Sequence, residues 1–289
     1  MRPCAHMPSM AHRIALIGFG EAAQAFAAAA DWRGAAAALD IRTDAAKQAD
    51  YAAHGVTGCE HAREALAGTP AALSLVTADA ALAAARGYAP FLTPGTLWFD
   101  MNSVSPETKR AAEAAITAAG GRYVDVAVMA PVHPKRTSVP LLVSGAHAQA
   151  GASLLQDLGF QDVRSVGAKI GDASAIKMIR SVMVKGIEAL TAECVLAGHR
   201  AGVVDEVLSS LGDNWTQKAD YNLDRMLAHG LRRAAEMEES ARTLEDLGVA
   251  PLMTRGTIAQ QRALGALGIA PPEGLAAKLA ALDSLKGPA

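Results

Sequence analysis

The stretch IALIGFGEAA, residues 14–23, governs the reading of the N-terminal half of the chain. Four apolar residues, Ile14, Ala15, Leu16 and Ile17, run into Gly18, Phe19 and Gly20. Glu21, Ala22 and Ala23 then open an alanine-rich stretch that continues to Ala30. This predicts a strand, a tight turn and a helix in the pattern Gly-x-Gly-x-x-Gly/Ala. Gly18 permits the turn, Gly20 leaves room for a pyrophosphate, and Ala23 lets the helix pack close to the strand. The helix start presents unpaired N–H groups and a positive dipole end to phosphate oxygens. Alone, the pattern is a weak signal. Asp40, at the end of the next apolar run, strengthens it, because a carboxylate at that point accepts hydrogen bonds from ribose hydroxyls. The expected contacts to a dinucleotide are therefore Gly18, Phe19, Gly20, Glu21, Ala22, Ala23 and Asp40. Asp40 favours NAD by repelling a 2′-phosphate, whereas Arg42 and Thr43 close behind it suit NADP. The reading inclines to NAD and leaves both open.

Further apolar runs at 72–77, 96–99, 123–128, 141–144 and 162–166 predict more strands, with helical patterns between them, notably 105–119 and 146–158. Alternating strands and helices predict a doubly wound, mostly parallel sheet with helices on both faces. After residue 171 no period-2 run remains, and Gly202, Gly212, Gly230, Gly248 and the pair Pro271, Pro272 punctuate helical composition. The expected organisation is a loose leader over 1–12, with Met10 an alternative start, a dinucleotide-binding domain over 13–168 and an all-helical domain over 169–289.

The 289 residues are 51% hydrophobic and 19% charged, which excludes a disordered chain. A net charge of −2 gives nucleic acid no electrostatic footing. No uncharged run is long enough for a membrane helix. Cys4, Cys59 and Cys194 have neither disulfide nor metal-ligand spacing, which fits a reducing compartment, so a cytoplasmic protein without a metal is expected.

Three more segments carry candidate chemistry. At the end of the 96–99 run, Asp100, Met101, Asn102 and Ser103 form a polar turn before Ser105 and Pro106, the expected cap and first residue of a helix. In a doubly wound sheet, ligands sit beyond the carboxyl ends of the strands. Asn102 and Ser103, with Thr77 at the end of the neighbouring run, are thus placed at the cofactor and substrate. The 123–128 run empties into Met129, Ala130 and Pro131, followed by His133, Lys135 and Arg136; the last two suit either an anionic substrate or plain solvation. Finally, Ser174, Lys177, Ser181 and Lys185 recur along one helix face, flanked by Ile176, Ile179, Val182 and Met183. This predicts a mostly buried helix whose polar stripe meets something polar. A lysine desolvated on such a face can exchange protons near neutral pH. In the C-terminal half, Arg232 and Glu236 form an i, i+4 pair beside His229 and Arg233, readable as a carboxylate clamp or as a surface ion pair. Trp215, Tyr221 and Asn222 suit either a pocket wall or the core.

In this order, the glycine fingerprint, the Asp-x-Asn-Ser turn, the Asp125-containing strand and the Gly171-x5-Lys177 helix resemble the β-hydroxyacid dehydrogenase family, which includes 3-hydroxyisobutyrate and 6-phosphogluconate dehydrogenases. Residues 128–135 and 222–237 are most similar to a phosphogluconate-dehydrogenase-like subgroup with a distinct C-terminal domain. The resemblance implies a Rossmann domain followed by a helical domain, an NAD(P) cofactor and a homodimer formed through the helical domain. It further implies Lys177 as general acid/base and a small anionic 3-hydroxy acid or sugar acid as substrate, contacted by Asn102, Ser103, Met129, Ala130, Ser181 and Arg232. Two departures stand out. Ser181 replaces the usual Asn four residues after the lysine, and Met129, Ala130 and Pro131 replace a Ser-Gly-Gly loop, where Pro131 has no N–H to offer. An imine reductase, an oxidative decarboxylase and a non-catalytic dinucleotide sensor are the competing expectations; Lys177 speaks against the first, because imine reductases of this build generally lack it.

Overall fold

The computed structural model describes residues 13–284, so the expected leader over 1–12 lies outside the described residues. The chain divides into two compact units, one ending at Lys177 and the other beginning at Met178.

The first unit is built on strands β1 (Ile14–Ile17), β2 (Ala36–Leu39), β3 (Thr57–Gly58), β4 (Ala71–Ser74), β5 (Leu97–Asp100), β6 (Arg122–Val128), β7 (Leu141–Ser144) and β8 (Val163–Gly167). Helices α1 (Glu21–Ala29), α2 (Ala45–His54), α3 (Ala62–Leu66), α4 (Ala81–Tyr88), α5 (Pro106–Ala118) and α6 (Ala148–Asp157) connect them. The eight strands form one sheet in the order β3-β2-β1-β4-β5-β6-β7-β8. Among the described residues the only antiparallel pairing is β6 with β7. The reversal of strand order between β1 and β4 is the topological switch point at which doubly wound sheets bind ligands.

The strands read as unbroken apolar runs because both sheet faces are covered. In β1, Ile14 and Leu16 join a core with Phe26, Phe99 and Val124, while Ala15 and Ile17 join the opposite core with Leu66, Trp98 and Ile116. The expected bounds need small corrections. The run read over 72–77 is strand only as β4; Thr77 lies beyond it and starts a short 3-10 turn. β3 is too short for a periodicity to announce it.

Helix α7 (Asp172–Ala201) is continuous across the division between the units, which therefore falls later than the boundary at 168/169 expected from the sequence. The reason is local: the first turn of α7 is bonded to the sheet, and Ala173 packs with Ala127 of β6 and Leu142 of β7. The second unit contains the rest of α7 with α8 (Val204–Leu211), α9 (Trp215–Asp246), α10 (Leu252–Gly265) and α11 (Leu275–Ser284). Among the described residues no strand follows β8. Its core joins Ala192 and Val195 of α7 to Leu208, Leu223, Leu264 and Leu279. Helices α9 and α10 cross closely at Gly230 and Gly265; a Cβ on Gly230 would lie 2.3 Å from the Gln261 carbonyl oxygen.

The stripe on α7 is arranged differently from the expectation. Ser174, Ser181 and Lys185 are buried, while the flanking Ile176, Ile179 and Met183 are exposed. Hydrogen-bond partners explain part of the reversal. Ser174 Oγ donates to the Gly171 carbonyl, and Lys185 Nζ donates to Glu236 at 2.7 Å. Burial pulls the Lys185 ammonium below the usual lysine range, opposed by Glu236. Nearby, the Glu188 carboxylate accepts from Arg233 Nε at 3.2 Å and from Gln261 at 2.9 Å.

Candidate active site

The carboxyl edge of the sheet collects the residues singled out from the sequence. The turn after β1 places Gly18 at φ +88°, a left-handed conformation suited to glycine, and a Cβ there would lie 2.7 Å from the Leu75 carbonyl oxygen. Gly20, the N-cap of α1, faces the opposite situation: a Cβ there would meet nothing within 4 Å. Glycine has no side chain with which to cap the helix. Open space over an uncapped helix start is what a pyrophosphate needs. Phe19 and Ala23 are fully buried, anchoring the two sides of the turn. Thr77 is exposed just past β4 at the same edge.

Asp40 follows β2 and is drawn toward the turn. Its Oδ2 accepts the Phe19 N–H at 2.7 Å, and its Oδ1 accepts the Arg42 N–H at 2.9 Å. Lys47, buried on α2, donates to the Phe19 carbonyl at 2.7 Å. The Gly-rich turn is thus held from both sides of the Phe19 peptide, by a carboxylate and an ammonium. The sequence suggested Asp40 as a ribose acceptor; it did not announce the bond to the Phe19 N–H of the turn.

Beyond β5, Asn102 is buried. Its Nδ2 donates to Asp100 Oδ1 at 2.8 Å and to Ser74 Oγ at 2.9 Å, but its buried Oδ1 has no hydrogen-bond partner. A buried acceptor left without a donor is costly, so this oxygen suits a donor group on a bound molecule. Ser103 is half-buried, and its Oγ accepts from Lys177 Nζ at 2.5 Å. Ser105 caps α5 by accepting the Thr108 N–H, with Pro106 at the first helical position. That cap leaves Asn102 and Ser103 for other work.

Under this pair lies a charge network that the sequence did not announce. Lys109 of α5 is completely buried; its ammonium donates to the Asp100 carbonyl at 2.5 Å and to Asp100 Oδ1 at 3.0 Å, and it lies 3.4 Å from Asp125 Oδ1. Asp100 Oδ1 also accepts the Asn102 N–H at 3.0 Å. Asp125 Oδ2 accepts the N–H groups of Gly171 at 3.2 Å and Ser174 at 3.1 Å, and the Ser144 hydroxyl at 3.0 Å. Ser144 Oγ in turn accepts the Ala173 N–H. Asp125 and Ser144 therefore cap α7, one turn before Lys177, while Asp100 fixes the turn that carries Ser103. One cation joins the two carboxylates. A sequence signal existed: Lys109 falls at i−3 and i−7 from the buried Ala112 and Ile116, on the apolar face of α5.

Tyr123 donates to Asp100 Oδ2 at 2.7 Å and is pushed well above its ordinary pKa of 10.0, by burial first and by the Asp100 charge second. A raised folded pKa means the unfolded phenol loses its proton first. The contribution of this group to stability is thus fully present below about pH 10 and lost as pH rises beyond it. Thermal unfolding followed from about pH 8 to 11 should show a steeper alkaline loss for the wild type than for Tyr123→Phe.

The remaining expected site residues are less engaged. Met129 and Ala130 are half-buried just past β6, and the Met129 N–H already bonds the Pro140 carbonyl at 2.9 Å. Lys135 and Arg136 are exposed. Arg232 lies 3.8 Å from Glu236 and is half-exposed, the geometry of a surface ion pair. Asn222 is buried and donates to Thr191, whereas Tyr221 is exposed. Among the described residues no cluster of metal-ligating side chains occurs, and no helix is long and apolar enough to cross a membrane.

Residues 13–159 match a family model described as the NAD binding domain of 6-phosphogluconate dehydrogenase, and residues 198–264 match a domain of unknown function. The structure is similar to that of a conserved hypothetical protein from Sinorhizobium meliloti, at 38% identity and a TM-score of 0.72, covering 96% of this chain and 97% of that one. It is also similar to a conserved protein of unknown function described as structurally similar to 3-hydroxyacid dehydrogenases (30% identity, TM-score 0.67, 89% and 98% covered). The fold extends to the 3-hydroxyisobutyrate dehydrogenase of Mycobacterium tuberculosis, described with L-serine (18% identity, TM-score 0.70, 96% and 100% covered).

Proposed function

Since this chain belongs to the β-hydroxyacid dehydrogenase family and its N-terminal unit takes a nicotinamide cofactor, we propose that it oxidises the hydroxyl carbon of a small 3-hydroxy acid or sugar acid, reversibly, with Lys177 as general acid/base. The observation that carries this reading is the 2.5 Å bond between Lys177 Nζ and Ser103 Oγ at the carboxyl edge of the sheet.

The cradle fits the cofactor. Gly18, Gly20 and the start of α1 would hold the pyrophosphate, Asp40 the ribose, and Thr77 and Asn102 the nicotinamide end. Nicotinamide held there would supply the hydride chemistry, taking the hydride in one direction and returning it in the other. On the protein side, Lys177 Nζ receives the proton of the substrate hydroxyl as the carbon is oxidised and returns it in the reverse direction. Ser103 Oγ fixes the direction of the amine and offers a second hydrogen bond to the same hydroxyl. Asn102 Oδ1 is an acceptor without a protein donor. Ser181, one turn beyond Lys177 on α7, stands where the family resemblance puts Asn. Pro131 has no backbone N–H to offer a substrate carboxylate, which leaves Ala130 as the backbone donor of this loop, so the substrates of relatives with the Ser-Gly-Gly loop are not carried over to this chain.

The test is a panel of 3-hydroxy acids and sugar acids, with L-serine included, each offered with NAD⁺ and with NADP⁺ while the absorbance of the reduced cofactor is followed. Turnover of at least one member is expected. Silence across the panel despite tight cofactor binding would overturn the dehydrogenase reading in favour of a dinucleotide sensor.

Self-association through the helical unit belongs to the same proposal. Ile179, Met183, Ile187 and Leu190 form an exposed apolar stripe along α7. Sedimentation is expected to give twice the mass of one chain, and a monomer at micromolar concentration would contradict this.

A further inference from the structure

Resting on the cofactor reading above, we propose that Asp44 selects the cofactor: it holds Arg42 in an ion pair, and the site thereby prefers NAD(H) to NADP(H). Asp44 is the N-cap of α2, where its Oδ1 accepts the Lys47 N–H at 2.9 Å. The same carboxylate takes Arg42 through two parallel bonds, Nη2 to Oδ1 at 3.1 Å and Nε to Oδ2 at 3.0 Å. The helix cap fixes the carboxylate and the carboxylate fixes the guanidinium, which would otherwise be the natural ligand of a 2′-phosphate in this position. Arg42 Nε and its hydrogen bond also keep Asp44 below the ordinary carboxylate range, strengthened by the cap.

The rest of this edge points the same way. Asp40 receives main-chain N–H groups on both oxygens, so its charge is pinned at the end of β2. Lys47, the other cation, is buried and engaged by the Phe19 carbonyl and by Asp50 at 3.2 Å. Asp40, Asp44 and Asp50 thus face Arg42 and Lys47, an excess of one negative charge with both cations already paired. A 2′-phosphate brings about 1.5–2 further negative charges. A ribose with free hydroxyls brings none and offers donors to Asp40.

The experiment titrates the full chain with NADH and with NADPH, following cofactor fluorescence. It compares wild type, Asp44→Ser, which keeps a capping side chain, and the double variant Arg42→Ala, Asp44→Ser. The wild type is expected to bind NADH at least about tenfold more tightly. Asp44→Ser should tighten NADPH about fivefold, leave NADH nearly unchanged, and lose that gain in the double variant. A wild type that prefers NADPH, or an Asp44→Ser chain whose two affinities are unchanged or shift together, would overturn the proposal and leave the dehydrogenase reading standing. If the wild type binds neither dinucleotide, the cofactor reading falls and takes this one with it.

Discussion

Lys177→Ala is expected to lower turnover by about 10²–10⁴-fold, the range that a positioned general acid/base supplies. Cofactor affinity should stay within about twofold, because the Gly18–Gly20 turn and Asp40 make no contact that depends on this side chain. The split is what identifies the role. A residue that merely braced the fold would lower cofactor binding and thermal stability together, whereas loss of the proton carrier acts on kcat alone. Steady-state kinetics with the best substrate of the panel, alongside fluorescence titration of the cofactor, separates the two. Unchanged kcat would remove Lys177 from the chemistry.

Lys109→Met carries the second large effect, about 3–5 kcal/mol of stability. Lys109 is completely buried and is the counter-charge to both Asp100 and Asp125, themselves buried. A methionine fills a similar volume but leaves two buried carboxylates, each still hydrogen-bonded, without their cation. Urea unfolding should report the loss as a lower midpoint with an unchanged slope. The double variant Lys109→Met, Asp125→Asn should lose less than Lys109→Met alone, since one uncompensated charge is gone; a simple sum of the two single losses would contradict a coupled network. Because Asp125 caps α7 before Lys177 and Asp100 holds the turn carrying Ser103, the surviving folded fraction should also show reduced kcat.

The sheet could be read from the sequence because doubly covered strands leave unbroken apolar runs, and because the Gly18-x-Gly20 turn marks the switch point. β3 could not, since two residues carry no period. The antiparallel direction of β7 was equally hidden, as apolar character does not report strand direction. For the candidate site, what the sequence reveals is polar residues just past strand ends, Asp40 after β2 and Asn102 and Ser103 after β5, and a lysine, Lys177, on the helix that follows β8. What it conceals is the set of partners, since Asp125 meets α7 and Lys109 across a separation that no local pattern records. The α7 stripe misled for a related reason. Amphipathic spacing shows that Ser174, Ser181 and Lys185 share a face, but not that Gly171 and Glu236 supply their hydrogen-bond partners, nor that the apolar flank stays exposed.

The most direct measurement is a crystal structure of the chain with reduced cofactor and a hydroxy acid identified by the panel. Lys177 Nζ is expected within about 3 Å of the substrate hydroxyl oxygen, with Ser103 Oγ still bonded to that nitrogen and the pyrophosphate on the Gly18–Gly20 turn. A structure in which the dinucleotide is bound while the Lys177 amine points into bulk solvent, away from the reacting carbon, would contradict it.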